Sequence, residues 1–186
     1  MPVNTEVYNK IKEELQKKSV RLIAVSKTKP IEDILELYNL GQLDFGENYV
    51  QELVDKAEQL PKDIRWHFIG HLQTNKVKLI APFVQLIHGV DSLKLLKEVN
   101  KEAAKNNRII DCLLQIHIAQ EETKFGLDKE ELKLLIDQLA DVPMPNIRIA
   151  GLMGMASFTE YMAKVRAELK KLREVFDRHA KLQTSN

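Results

Sequence analysis

A lysine stands where an apolar strand is expected to end, and its amine is suited to carbonyl chemistry. In the run RLIAVSK, an extended strand places Ile23, Val25 and Lys27 on one face. An amine that is partly desolvated on such a face loses proton affinity, and its neutral form attacks aldehydes. Lys27 is therefore predicted to trap a carbonyl compound. A lysine that only covers apolar surface with its stem explains the same pattern.

A helix is expected directly after Lys27, which places the lysine at the carboxyl end of its strand. Pro30 suits the first helical position, and Glu32 and Asp33 suit the first turn. Ligands of barrels and open α/β sheets bind at this end of the strands. Lys29 lies past the strand and is predicted to be a solvated loop lysine.

Six apolar runs alternate with segments of helical period along the chain. The runs are LIAV, LDFG, RWHFIG, VQLIHGV, IIDCLLQIHI and IRIAGLMGMA. Such continuous apolar strands are typical of a parallel sheet covered by helices. The alternation leaves two α/β architectures open, the doubly wound sheet and the (β/α)8 barrel.

The last two helices carry start signals and an apolar stripe. Asp128 with Glu131 and Ser157 with Glu160 have the spacing of capping boxes. The stripe on the last helix indicates either a barrel helix or a coiled-coil partner. Its members are Met162, Val165, Leu169, Leu172 and Phe176.

Composition excludes several classes of function. The 186 residues are 44% hydrophobic with a net charge of +1, which describes one globular domain. The charges are interspersed, so neither nucleic acid nor an anionic membrane is an expected partner. Cys112 lies in an apolar run and predicts a buried thiol in a reduced compartment. No secretory signal or membrane-spanning run is visible, so a cytoplasmic protein is expected.

Two histidines in WHFIGH raise the question of a metal site. Four residues of extended strand separate the side chains of His67 and His71 by about 13 Å, too far for one ion. No metal site is predicted. His67 is expected to be a satisfied core histidine, and Trp66 and Phe68 are expected to pack between sheet and helices.

Five motifs between residues 20 and 158 resemble those of the pyridoxal-phosphate homeostasis protein family. They are AVSKTKP, DFGENYVQE, WHFIGHLQTNK, EETKFG and GLMGMASF. The resemblance implies a single domain over residues 1–186, a TIM-type (β/α)8 barrel of the type-III pyridoxal-phosphate fold shared with alanine racemases. It also implies that Lys27 holds pyridoxal 5′-phosphate as an aldimine.

The same resemblance implies a binder in vitamin B6 homeostasis, without catalytic turnover or catalytic residues. Pyridoxal-phosphate-dependent apoenzymes would be the recipients, and the intact family would be monomeric. Two alternatives remain: a racemase-like or aldolase-like Schiff-base enzyme, and a fragment that binds nothing.

Three further cofactor-pocket residues are implied by the resemblance, and two of them have a plainer explanation. Asn48 is equally a helix cap with Gln51 three residues on. His71 is expected near the carboxyl end of its strand, and Met153 is either close to the cofactor ring or core filler. Lys124, in EETKFG, is expected in a loop at the barrel mouth or in an ordinary polar loop.

The chain is expected to be a C-terminally truncated barrel. Only six strands are predicted, whereas ring closure needs eight. The family's last two strands would carry the phosphate cup and an arginine near the pyridine nitrogen. Two unpaired sheet edges would then leave self-association open.

Overall fold

Strands and helices alternate regularly in the computed structural model, which describes residues 3–119 and 126–179. The strands are β1 (Ala24–Val25), β2 (Asp44–Glu47), β3 (Arg65–Phe68), β4 (Leu86–Val90), β5 (Ile110–Gln115) and β6 (Ile147–Met153). The helices are α1 (Thr5–Gln16), α2 (Ile31–Asn39), α3 (Val50–Gln59), α4 (Val77–Ile80), α5 (Leu93–Lys105), α6 (Lys129–Asp141) and α7 (Met162–His179). A 3-10 turn at Thr74–Lys76 precedes α4.

The six strands form one parallel sheet in the order β1-β2-β3-β4-β5-β6. Each strand therefore pairs with its neighbour in sequence, whereas a doubly wound sheet reverses its order partway. Right-handed crossovers between sequential strands put the connecting helices on one side, as in a (β/α)8 barrel. The predicted α/β barrel architecture is confirmed as a six-stranded arc. Within the described ranges, β1 pairs only with β2, and β6 only with β5.

The hydrophobic core lies between the sheet and its helices. Phe45 and Trp66 are partners in the register of β2 and β3, and both are buried on this side. Phe68 joins the same cluster, which confirms the packing role predicted for the two aromatic residues of β3. The opposite side, called the inner face below, carries polar residues at the alternate positions. They are Asp44, Arg65, His67, His88, Asp111 and Arg148.

The sequence analysis missed helix α1. Asn4 caps it by accepting a hydrogen bond from the Val7 N–H, and Tyr8 is its buried residue. The Tyr8 hydroxyl donates to Gln42 Oε1 at 3.1 Å, which ties α1 to the residues before β2. With so few buried positions, the helix lacks the broad apolar stripe on which a helix prediction depends.

Two predicted helix starts need correction. Pro30 is the residue before α2 rather than its first residue. The Ser157–Glu160 capping box is wrong, because the Ser157 N–H and hydroxyl both donate to the Glu168 carboxylate, at 2.7 and 2.8 Å. Glu168 is buried, and a buried carboxylate needs such donors. The Asp128 box is confirmed, with its two reciprocal hydrogen bonds to Glu131.

The predicted stripe on α7 is divided in the structure. Leu172 packs against the core, but Met162 and Leu169 are 58% and 46% exposed. The helix therefore contacts the sheet through its middle and carboxyl-terminal part. None of the helices in residues 3–119 and 126–179 combines the length and apolar character needed to cross a membrane.

Candidate functional site

Lys27 lies in a tight turn that joins β1 to α2. The Lys29 N–H donates to the Ser26 carbonyl at 3.0 Å and closes the turn. Within it, Thr28 has a φ of +60°, a left-handed conformation that a β-branched residue rarely adopts. Such a conformation costs about 1–3 kcal/mol, so surrounding contacts must hold it.

The Lys27 side chain is exposed, which differs from the partial desolvation predicted for it. Val25, on the same face of β1, is also exposed, because no described strand covers the free edge of β1. Across the described ranges, no hydrogen bond or ion pair joins the Lys27 ammonium to another residue. The turn therefore presents a primary amine with no partner among those residues.

A polar network with a buried centre at Glu47 and Lys56 lies beneath this turn, between the sheet and α3. We call Ser26, Thr28, Glu47, Glu52 and Lys56 the Lys56 network. The Lys56 ammonium donates to the Ser26 carbonyl at 2.7 Å, to Glu47 Oε1 at 2.8 Å and to Glu52 Oε1 at 2.6 Å. The Ser26 hydroxyl donates to Glu47 Oε1 at 2.6 Å, and the Thr28 N–H donates to Glu52 Oε1 at 2.5 Å. Both sequence neighbours of Lys27 are thus anchored.

Glu47 is the most buried member of the network. Its carboxylate is fully inaccessible, and burial raises its pKa more than the hydrogen bonds from Lys56 and Ser26 lower it. Its Oε2 atom has no hydrogen-bond partner among the described residues. Lys56 is therefore the cation that makes a buried carboxylate tolerable at this position.

Asn48 and His71 follow the two strands next to β1. The register pairs Val25 with Gly46, so Lys27 and Asn48 both lie two residues past that pair. The His71 Nδ1 atom lies 3.6 Å from Asp91 Oδ2. The carboxyl ends of β1, β2 and β3 thus place Lys27, Asn48 and His71 along one edge of the sheet. The capping alternative for Asn48 is wrong, because Tyr49 precedes α3 and that helix has no side-chain cap.

Gly70 is a site residue that the sequence analysis did not single out. A Cβ atom on Gly70 would lie 2.3 Å from the Asn48 carbonyl oxygen, so only glycine fits. The close approach fixes the backbone before His71 against the backbone at Asn48. A glycine at a strand end was the available signal.

Met153 lies at the other end of the strand order. It ends β6, and its carbonyl accepts a hydrogen bond from the Ile116 N–H. Leu152 packs against the core, so alternation puts Met153 on the inner face. The structure therefore does not bring Met153 to the edge shared by Lys27, Asn48 and His71. Lys124 lies outside the described residues.

The inner face contains a histidine pair, in which His67 is buried and His88 is half-buried. The Nε2 atom of His67 lies 3.0 Å from Asp44 Oδ1, and its Nδ1 atom lies 3.0 Å from His88 Nε2. An ionised carboxylate only accepts, so His67 donates from Nε2 and accepts from His88 at Nδ1. His67 is thus the satisfied core histidine that was predicted.

Burial sets the charge state of this pair. It lowers the pKa of His67 despite the hydrogen bond with Asp44, and it lowers the pKa of His88 to about 4. For Asp44, burial is outweighed by the hydrogen bonds from Arg65 and His67, so its pKa falls. Both rings are therefore neutral at pH 7. In the ranges 3–119 and 126–179, no three His, Cys, Asp or Glu side chains are grouped to hold a metal ion.

Two cavities lie away from the Lys27 amine. One of about 230 Å³, beside β1 on the side of the helices, is lined by Ser26, Lys29 and Asp33 among others. The other, of about 350 Å³, lies between α6 and α7. Lys27 lines neither of these two cavities, and its exposed side chain lies at the edge of the sheet.

Comparisons with known proteins show similarity over most of the chain. The family model "Alanine racemase, N-terminal domain" matches residues 5–185. The chain is 44% identical over 158 residues to the pyridoxal phosphate homeostasis protein of Aquifex aeolicus. The aligned region covers 84% of this chain and 68% of that protein. It is 42% identical over 147 residues to the human protein of the same name, covering 74% of this chain and 53% of the relative.

Solved structures show the same fold. PipY of Synechococcus elongatus, solved with PLP bound, has a TM-score of 0.78 at 32% identity, covering 90% of this chain and 80% of PipY. The alanine racemase of Streptomyces coelicolor has a TM-score of 0.64 at 15% identity, covering 84% of this chain and 44% of the racemase. The racemase is a likeness of fold alone.

Proposed function

The chain belongs to the pyridoxal phosphate homeostasis protein family, and we propose on this premise that it binds pyridoxal 5′-phosphate through Lys27. The observation that carries the proposal is the Lys27 amine, which lies at the carboxyl end of β1 on an anchored turn without an ionic partner in the described part of the chain. PipY, a relative by fold and sequence, has been solved with PLP bound.

The residues present fit a cofactor that carries an aldehyde. The Lys27 amine would hold such a group by condensing with its aldehyde carbon, with the carbonyl oxygen lost as water. The Lys56 amine is a poor competitor, because it is buried and donates hydrogen bonds to three groups. Lys29 is exposed but lies beyond the inner face, beside the cavity near α2.

Asn48 and His71 are proposed to line the cofactor beside Lys27, since all three follow neighbouring strands. Met153 is proposed only as a contact from the far side of the arc. A bound cofactor supplies an electrophilic carbon and an electron-withdrawing ring, but racemisation also needs an acid and a base on the two faces of that ring. We therefore propose a binder without turnover. We further propose that residues 1–186 form one domain and that the protein serves apoenzymes in the cytoplasm.

A titration with pyridoxal phosphate tests the proposal. The chain is expected to develop a near-visible absorbance band, and borohydride reduction followed by peptide mapping should place the label on Lys27. Lys27→Ala is expected to abolish the band, whereas Lys29→Ala, the matched control two residues away, should retain it. Label spread over surface lysines in the unsubstituted chain would contradict the proposal.

The absence of turnover is tested separately. The loaded protein is expected to leave the enantiomeric composition of L-alanine unchanged over many hours. Racemisation that disappears in Lys27→Ala would favour the Schiff-base enzyme instead.

A further inference from the structure

We propose that Glu52 and Lys56 are positioning residues for the Lys27 amine, an inference that rests on the proposed function. The two residues belong to α3, and their hydrogen bonds go to Ser26, Thr28 and Glu47 and to each other rather than to Lys27. They act through the turn, because their hydrogen bonds anchor Ser26 on one side of Lys27 and Thr28 on the other.

The backbone of the turn has an unusual conformation at Thr28. Thr28 has a φ of +60°, which threonine adopts only when other contacts hold it there. The Thr28 N–H donates to Glu52 Oε1 at 2.5 Å, a charge-assisted bond at the strained residue itself. Glu52 therefore holds Thr28 in its unusual conformation.

Glu52 is linked to the sheet through Lys56. Lys56 bridges the Glu52 and Glu47 carboxylates and also donates to the Ser26 carbonyl. Glu47 lies in β2 and is fully buried, so this bridge ties the turn to a rigid element. The bridge is shielded from solvent, since the Lys56 side chain is only 7% exposed.

Lys56 and Lys27 have different roles at this turn. The Lys56 network uses its own ammonium to neutralise Glu47 and Glu52, so Lys27 is not needed as their counterion. The Lys27 amine thereby has no ionic partner among the described residues, and its backbone is hydrogen-bonded on both sides. A side chain whose backbone is held in place loses less conformational entropy when its amine reaches the aldehyde. The bond therefore forms faster.

The test compares substitutions on one helix. Glu52→Ala removes the acceptor of the Thr28 N–H, and Glu58→Ala is the matched control at an exposed position of α3. We expect Glu52→Ala to slow the formation of the Lys27 adduct with pyridoxal phosphate about tenfold. Glu58→Ala should react as the unsubstituted chain does, and Glu52→Gln, which keeps an acceptor oxygen, should restore most of the rate.

A second comparison separates positioning from general stability. Glycine adopts a positive φ without strain, so in a Thr28→Gly background the loss caused by Glu52→Ala should shrink to less than about threefold. A merely structural role would lower the melting temperature equally in both backgrounds and leave the adduct rate unchanged. Equal rates for Glu52→Ala and Glu58→Ala would overturn the inference.

Failure of the proposed function gives a different result. If the unsubstituted chain forms no Lys27 adduct, that proposal fails, and hydrogen exchange without cofactor decides whether the turn is anchored. Exchange of the Thr28 amide is expected to accelerate about tenfold in Glu52→Ala but not in Glu58→Ala. An unchanged exchange rate would overturn the anchoring itself.

Discussion

At the scale of single residues, Lys27 and Lys56 show which features could be predicted from the sequence and which could not. The sequence pattern ended the first strand at Lys27, whereas β1 ends at Val25 and Lys27 lies in the turn after it. The exposure of Lys27 depends on which strands cover β1. Glu52 and Lys56 have the i, i+4 spacing of an ordinary surface pair on a helix. Their burial against Ser26 and Glu47 comes from tertiary packing, which no local pattern reveals.

Gly70 supports a residue-scale prediction. Gly70→Ala is expected to lower the free energy of unfolding by about 1–3 kcal/mol, because the new Cβ would press against the rigid Asn48 backbone. Denaturant unfolding measures the loss. Gly46→Ala is the control: its Cβ would meet methyl groups of the Ile23 and Ile69 side chains at 3.0 to 3.4 Å, where a side chain rather than backbone must give way. An equal loss in both variants would contradict the role given to Gly70.

Cys112 supports a second prediction at this scale. Burial raises the pKa of its thiol to about 12, and the side chain is inaccessible. A thiol reagent at pH 8 is therefore expected to label the native chain only on the timescale of its opening. Labelling should become immediate in denaturant. Fast labelling of the folded chain would contradict the burial.

At the scale of elements, capping signals located one helix correctly and misplaced another. Asp128 and Glu131 are three residues apart in sequence and satisfy each other locally, so their spacing was enough. Ser157 instead pairs with Glu168, which is two turns into α7 and comes close only through folding. Patterns within one turn of helix are readable from sequence, whereas partners brought together by the chain's path are not.

The Asp128 cap predicts a modest loss of stability. Asp128→Ala removes the side-chain acceptor for the Glu131 N–H and is expected to lower the free energy of unfolding by about 1 kcal/mol. Asp137→Ala, at an exposed position inside α6, is the control and should be neutral or slightly stabilising. Thermal or urea unfolding distinguishes the two. A loss at Asp137 as large as that at Asp128 would exclude capping as the cause.

At the scale of the whole molecule, the sequential order of the strands was only partly predictable. The alternation of strands and helices fixed the α/β class, and family resemblance favoured the barrel. The polar inner face was not foreseen, because LDFG and RWHFIG look apolar as short runs, yet they alternate Asp44 and His67 with core aromatics. Polar residues that satisfy one another across strands are invisible to a one-dimensional pattern.

The histidine pair makes global stability depend on pH. The folded-state pKa of His67 is lowered and that of His88 is about 4, whereas an unfolded histidine titrates near 6.5. Between pH 6.5 and 4 the unfolded chain binds more protons, so stability is present at neutral pH and lost as pH falls. The expected loss from His88 is at most about 3 kcal/mol, measured by urea unfolding from pH 7 to 4.

Two substitutions identify the source of that pH dependence. His88→Gln removes one titrating ring while keeping a donor for His67, so the fall in stability should be smaller. His71→Gln removes a histidine outside the pair and is the comparison variant, in which the fall should be larger than in His88→Gln. A pH profile that is the same in His88→Gln and the unsubstituted chain would show that other groups cause the loss.

The strand order also governs how the protein can be assembled in time. Each strand pairs with the one just before it, as Ala24 with Phe45 and Asp44 with Arg65, so every pairing closes a loop of modest length. Lys27 follows β1, Asn48 follows β2 and His71 follows β3, and the Lys56 network is complete within the same stretch. During synthesis, the corner that carries the Lys27 amine has all its parts before the later strands leave the ribosome.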